Sequence, residues 1–166
     1  MIRTERLLLR RAIQSDLTGL HVIMTNPQAM RYWSCPPHTN IFETQAFLDW
    51  LIAAPTENSD EYVIEHDGLC IGKAGIWAKP ELGYILHPAV WGKGVAYEAL
   101  SALIPHHFAR FSDMPVLTAE CDPRNIASIA LLKKLGFKQT GYAEKNFDYG
   151  GIEMCDTVYF ELKRET

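Results

Sequence analysis

The reading turns on Trp91-Gly92-Lys93-Gly94-Val95-Ala96. This stretch stands between an apolar run at residues 81–87, ended by Pro88, and a segment that turns helical after Gly94 and runs to about residue 109. Two glycines at such a junction let the backbone approach a ligand with no Cβ in the way. The helix start beyond them carries unpaired N–H groups and the positive end of the macrodipole. Together with Lys93 these features predict an anion site suited to a phosphate or pyrophosphate. The spacing excludes two better-known loops. No Gly-Lys-Ser/Thr follows four spacer residues, and Tyr97 occupies the third-glycine place of the dinucleotide fingerprint. Taken alone, a tight strand-to-helix connection would read the same way.

Working upstream, residues 70–77 and 62–65 read as strands joined through His66-Asp67-Gly68, where Asp-Gly signals a tight hairpin. Before them, Asn40 and Glu43 stand three apart like a capping box, opening a helix with Phe42, Phe47, Trp50 and Leu51 at helical spacing. That period predicts core packing for Phe42 and Trp50. Residues 7–13 read as a first strand, and Ser15 as the N-cap of a helix reaching about Thr25. Working downstream, Pro105 predicts a kink or an early end of the helix after Gly94, because proline lacks the N–H and clashes with the preceding turn. Residues 116–121 read as a strand and 126–135 as a helix closed by Gly136. Residues 137–144 and 154–162 read as the last strands.

Consecutive strands in the middle imply antiparallel pairing, and the alternation that follows implies a parallel crossover. The expected fold is therefore α/β (mixed α+β), a mixed sheet with helices on both faces. The 166 residues fit one domain, residues 1–166, with one core. A net charge of −4 gives no basic face for nucleic acid. Cys35, Cys70, Cys121 and Cys155 form no C-x-x-C pair, so free thiols are expected and no metal. No apolar run is long enough for a bilayer and no signal-like block opens the chain. The expected setting is the cytoplasm, with no membrane partner.

The second informative stretch runs from Asp122-Pro123-Arg124-Asn125 through Ser128 to Leu135-Gly136-Phe137. It resembles the GNAT pattern in which a strand ends, an Asn opens a helix, a Ser follows three residues later, and the helix closes at Leu-Gly-Phe. Trp91 to Ala96 resembles that family's pyrophosphate loop, R/Q-x-x-G-x-G/A, with Trp91 in place of the basic or amide residue. The opening Thr4-Glu5-Arg6-Leu7-Leu8-Leu9-Arg10 and Met30-Arg31-Tyr32-Trp33 look like the RimJ/RimL ribosomal-protein N-terminal acetyltransferase branch. The resemblance covers nearly the whole chain. It implies an N-acetyltransferase with acetyl-CoA as co-substrate, and a primary amine as acceptor. It also implies a sheet splayed between two parallel central strands, here residues 81–87 and 116–121.

In that resemblance, amides of Gly92, Lys93, Gly94, Val95 and Ala96 would hold the pyrophosphate. Lys93, Arg124, Lys133 or Lys134 would meet the 3′-phosphate. The backbone of Ile85, Leu86 and His87 would pair with the pantetheine as an added strand, with an N–H near Leu86 polarising the carbonyl. Asn125 would contact the pantetheine or the acetyl region, or act as an N-cap. Glu81 is the base candidate, sharing a strand face with Gly83, Ile85 and His87; Glu65, Glu98 and Asp148 are rivals. The family's usual acid, a Tyr four residues after the Ser, is Leu132 here, which leaves Ser128 as the substitute donor. Tyr32 and Trp33, beside Cys35-Pro36-Pro37, are the acceptor-pocket candidates. The acceptor is a protein N-terminus or a small-molecule amine, and family members often form homodimers. A non-catalytic acyl-CoA-binding sensor is the competing reading. An unrelated nucleotide-binding α/β domain is disfavoured by the missing fingerprints.

Overall fold

The Asp67-Gly68 turn shows how closely local chemistry sets the sheet. Both residues have positive φ, 50° and 78°, as the two-residue turn between right-twisted strands requires. Glu65 lies opposite Cys70 and His66 opposite Leu69, so the hairpin register follows from that turn. The computed structural model describes residues 1–165; Thr166, the last residue of the expected domain, lies outside the described residues.

The strands are β1 (Ile2–Arg3), β2 (Leu8–Arg10), β3 (Asp60–His66), β4 (Leu69–Ala78), β5 (Glu81–Leu86), β6 (Val116–Cys121), β7 (Lys138–Tyr149) and β8 (Glu153–Lys163). They form one eight-stranded sheet in the order β1-β2-β3-β4-β5-β6-β8-β7. Among the described residues β5 and β6 are the one parallel pair, and their register contains the single match Glu81↔Thr118. The two strands part beyond it. On one face lie α1 (Leu17–Met24), α2 (Pro27–Met30) and α3 (Ile41–Ala53). On the other lie α4 (Val95–Arg110) and α5 (Ile126–Lys134). β3 is buried on both sides: Val63 packs with Leu20, Leu48 and Leu51, while Tyr62 and Ile64 join the cluster of Leu100, Leu103 and Phe160. A sheet covered on both faces loses the polar–apolar alternation of a half-exposed one.

Four expectations change. Residues 7–13 do not form one strand. The chain leaves the sheet after Arg10, whose guanidinium holds Asp16 at 2.7 Å. Ser15 does not cap a helix; residues 14–16 make a 3₁₀ turn, and the Asp16 carboxylate accepts the Ile13 N–H at 2.8 Å. α4 runs through Pro105 to Arg110, because Leu100, Leu103 and His107 anchor it by burial on both sides of the proline. Phe42 and Trp50 are 79% and 40% exposed, not core, and α3 instead buries Thr44, Leu48 and Leu51. The α3 cap holds, with Asn40 Oδ1 accepting from Phe42 and Glu43, but Glu43 reaches back to the Thr39 N–H instead of Asn40. The short α2 has its own signature, Asn26 as the cap, accepting from the Gln28 and Ala29 N–H groups, with Pro27 at the first helical position.

Candidate active site

Where β5 and β6 part, a cavity of about 590 Å³ opens between the α2–α3 connection, the ends of β4 and β5, and the start of α5. Local sequence explains each wall. Pro88 ends β5, and the backbone then turns through Gly92 and Gly94, both left-handed at φ 71° and 75°. Gly94 is the N-cap of α4 and offers no side chain to its first-turn amides. Those amides are therefore open to an anion, as a phosphate cradle requires. Arg6 braces the loop from outside: its Nη1 donates to the Lys93 carbonyl at 2.9 Å and its Nε to Glu98 at 2.7 Å.

The sequence-derived residues fall into two groups. Glu81, Asn125, Ser128, Tyr32 and Trp33 all line the one cavity. Trp91, Gly92, Lys93, Gly94, Val95 and Ala96 form the loop and helix start outside that lining, as do Ile85, Leu86, His87 and Lys133. Asn125 caps α5, its Oδ1 accepting from the Ser128 N–H at 3.2 Å. His87 caps the turn after β5 through Nδ1, and its own N–H already serves the Ile71 carbonyl at 2.8 Å. Strand alternation leaves Leu86, not His87, facing the gap, and there the Trp91 indole N–H donates to the Leu86 carbonyl at 3.0 Å.

Among the phosphate cations, Arg124 is committed to Asp122 at 2.6 Å and Glu153 at 3.1 Å, on the cavity side of the fold. Lys93 Nζ donates to the Ala89 carbonyl, Lys134 lies 4.2 Å over the Tyr97 ring, and Lys133 is exposed at the end of α5. The rival bases are occupied elsewhere. Glu65 holds Arg10, Glu98 holds Arg6 and Thr4, and Asp148 accepts the Gly151 N–H.

Tyr84 was missed. Leu132 is buried in the core, so α5 provides no phenol at the usual place. A phenol stands on β5 instead, where Tyr84 Oη and Ser128 Oγ share a hydrogen bond. Burial pushes the Tyr84 phenol up to about 12, against the opposing pull of that bond. It stays protonated at neutral pH. Its signal in the sequence is the alternation along β5, which puts Tyr84 on the strand face opposite Glu81. Glu120 was missed as well. It lines the cavity on β6, and burial together with the neighbouring Glu81 charge raises its carboxyl above the ordinary range. Lys73, Trp50 and Trp77 are further lining residues that periodicity assigned to strand and core.

Among the described residues no group of three or more His, Cys, Asp or Glu side chains could hold a metal, the four thiols are free, and no helix is long and apolar enough to cross a membrane.

A mixed sheet parted at its one parallel step, with a glycine loop capping the helix that follows, defines a class of acyl-group transferases. The chain belongs to the GNAT acetyltransferase family: the profile of the acetyltransferase (GNAT) domain matches residues 6–138. Enzymes of this family take the acetyl group from acetyl-CoA. An uncharacterized N-acetyltransferase, p20, of Bacillus licheniformis is 27% identical over 98% of this chain and 96% of its own. Two solved structures share the fold. An acetyl transferase of Salmonella typhimurium, which modifies the N-terminal serine of ribosomal protein L7/L12, superposes with a TM-score of 0.83 at 21% identity, over 98% of this chain and 97% of that one. Spermidine N-acetyltransferase of Vibrio cholerae, in complex with CoA and spermine, gives 0.79 at 21% identity, over 95% of each chain.

Proposed function

We propose that this protein moves the acetyl group of acetyl-CoA to a primary amine by direct attack in a ternary complex. The observation that carries the reading is one cavity that holds a carboxylate on β5 and a hydroxyl pair joining β5 to α5. Glu81 accepts the proton of the incoming ammonium, directly or through a water. The amine nitrogen then bonds to the thioester carbonyl carbon, and the C–S bond breaks. The Tyr84–Ser128 pair gives a proton to the thiolate and is reprotonated by the second proton that the attacking nitrogen sheds, with Ser128 nearer the sulfur and Tyr84 behind it. The open amides after Gly94 hold the pyrophosphate, and Leu86 turns its backbone toward the pantetheine in the gap between β5 and β6. The relatives of known substrate include one that modifies a protein N-terminus and one that acts on a small polyamine. The acceptor of this chain is accordingly an amine of either kind.

The test is thermal unfolding with acetyl-CoA, CoA, ATP and NAD, followed by a thiol-release assay with amines. A ligand at about a hundred times its Kd adds roughly 2.7 kcal/mol, which raises the midpoint of a domain this size by about 5–10 °C. A shift confined to the CoA compounds, with CoA release on adding an amine, supports the reading. Binding without release from any amine would instead identify an acyl-CoA sensor, and no shift with the CoA compounds would remove the cofactor site.

A further inference from the structure

Three of the chain's four tryptophans, Trp33, Trp50 and Trp77, converge on the cavity. Two of them leave a large part of the ring uncovered, Trp50 at 40% and Trp77 at 47% exposed. Tyr32 stands beside them at 37%. Phe47 stacks on Trp50 with ring centroids 5.9 Å apart. Large rings left open on a concave wall mark a surface made to be covered by a ligand.

The floor of this wall is unusual. Lys73 is 2% exposed and lines the cavity, its Nζ held by Glu61 Oε1 at 2.8 Å. The same ammonium lies 5.4 Å from the Trp33 ring centroid and 5.9 Å from that of Trp50. A cage of aromatic rings is ordinarily a site for a cation. Here a cation of the protein, balanced by Glu61, already lies against both indoles, and the ring faces left open suit a flat ring stacked on them.

Position completes the argument. Gly83 lies two residues along β5 from Glu81, on the same face, and a Cβ there would sit 3.6 Å from Lys73 Nζ and 3.7 Å from Trp77 Cδ1. The glycine thus leaves a clear path from the carboxylate to the indoles. Two residues of extended strand span about 7 Å. A ligand that places its ammonium at Glu81 and Glu120 therefore reaches the indoles through a tether of two or three bonds.

We infer that the acceptor is a primary amine joined by a short tether to a flat aromatic ring, whether a free arylalkylamine or the α-amine of an aromatic residue. This rests on the acetyl-transfer reading above and adds the acceptor class to it. Glu81 and Glu120 receive the amine end, and Trp33, Trp50 and Trp77 receive the ring.

The experiment measures CoA release from acetyl-CoA with tryptamine, phenethylamine, hexylamine and spermidine. The expected kcat/KM for tryptamine is about tenfold above those for hexylamine and spermidine, the scale of one good ring-stacking contact. Trp50→Leu and Trp77→Leu bring the tryptamine-to-hexylamine ratio down toward one, with folding checked by the retained thermal shift with acetyl-CoA. Hexylamine or spermidine used as well as tryptamine overturns the inference, as does a ratio that neither variant changes. If no amine releases CoA, the acetyl-transfer reading fails. The ring slot is then decided by equilibrium dialysis with CoA present. Tryptamine bound about tenfold more tightly than hexylamine, and losing that margin in Trp50→Leu, sustains the slot; equal binding rejects it.

Discussion

Glu81 and Glu120 sit on neighbouring strands at the point of divergence, and partial burial, with the charge on the first adding to it, raises the pKa of the second. Two outcomes follow at the scale of single residues. Glu81→Gln should lower kcat by about 10²–10⁴-fold, the usual range for a general base, with acetyl-CoA affinity little changed. The same substitution removes the neighbouring charge, so the Glu120 carboxyl should titrate lower than in the parent, as carboxyl NMR would register. A parent-like kcat would end the assignment of Glu81. The hydroxyl pair predicts non-additivity. Tyr84→Phe and Ser128→Ala should each cut kcat by about 10–100-fold, and the double variant should be no worse than the poorer single one, because both groups serve one proton transfer. Independent, multiplying losses would mean that the two hydroxyls do separate things.

At the scale of elements, α4 carries two unrelated duties at its two ends. Its start is the proposed phosphate cradle, and Gly94 there has φ of 75°, where a Cβ would lie 3.6 Å from Arg6 Nη2. Gly94→Asp should weaken acetyl-CoA binding by at least about tenfold in a calorimetric titration, since a carboxylate would face the phosphates. Affinity equal to the parent's would remove the cradle. The far end of α4 presents His107 to Asp60 at 3.0 Å, while Arg11 reaches the same carboxylate from the β2–α1 connection at 2.7 Å. Burial alone would raise Asp60, but the bonds from His107 and Arg11 prevail and lower its pKa. A carboxylate lowered in the native state contributes stability that is complete above its unfolded value of about 3.9 and fades as pH falls through the native one. The urea midpoint should therefore drop as pH falls below about 4, and Asp60→Asn should cost about 3–5 kcal/mol at pH 7 while flattening that drop. This anchorage also explains why Pro105 fails to break the helix. A lost backbone bond is outweighed by the packing of Leu100 and Leu103 before it and the His107–Asp60 hydrogen bond after it.

At the scale of the molecule, the parts legible in the sequence were those where chemistry is local. The Asp67-Gly68 turn, the Asn40 cap, the glycine loop and the Asn125-to-Gly136 helix each announce themselves within a few residues. Ser15 misled because the Asp16 carboxylate, one residue later, turns back to the Ile13 N–H and Arg10 and folds residues 14–16 into a 3₁₀ turn ahead of the helix. Pro105 misled because tertiary anchors lie far away in sequence. Phe42 misled because helical period alone does not say which stripe faces the sheet. Tyr84 went unread for a topological reason. Its partner Ser128 is 44 residues away and meets it only across the gap beside β6. The tryptophan wall draws on α3, β4 and the α2–α3 connection, which no spacing rule ties together.

The single rung between β5 and β6 has a mechanical consequence. The sheet is continuous by strand order, yet it behaves as two plates, β1 to β5 and β6 to β8, stapled at Glu81↔Thr118. Load applied across the strands concentrates on that staple, and the Tyr84–Ser128 bond is a second tie between the plates. A molecule lying along the gap would act as a splint. Amide exchange should show the gap-facing N–H of Leu86 opening readily in the unliganded protein, and slowing once acetyl-CoA is added. Slow exchange there without ligand would mean that the plates are already locked.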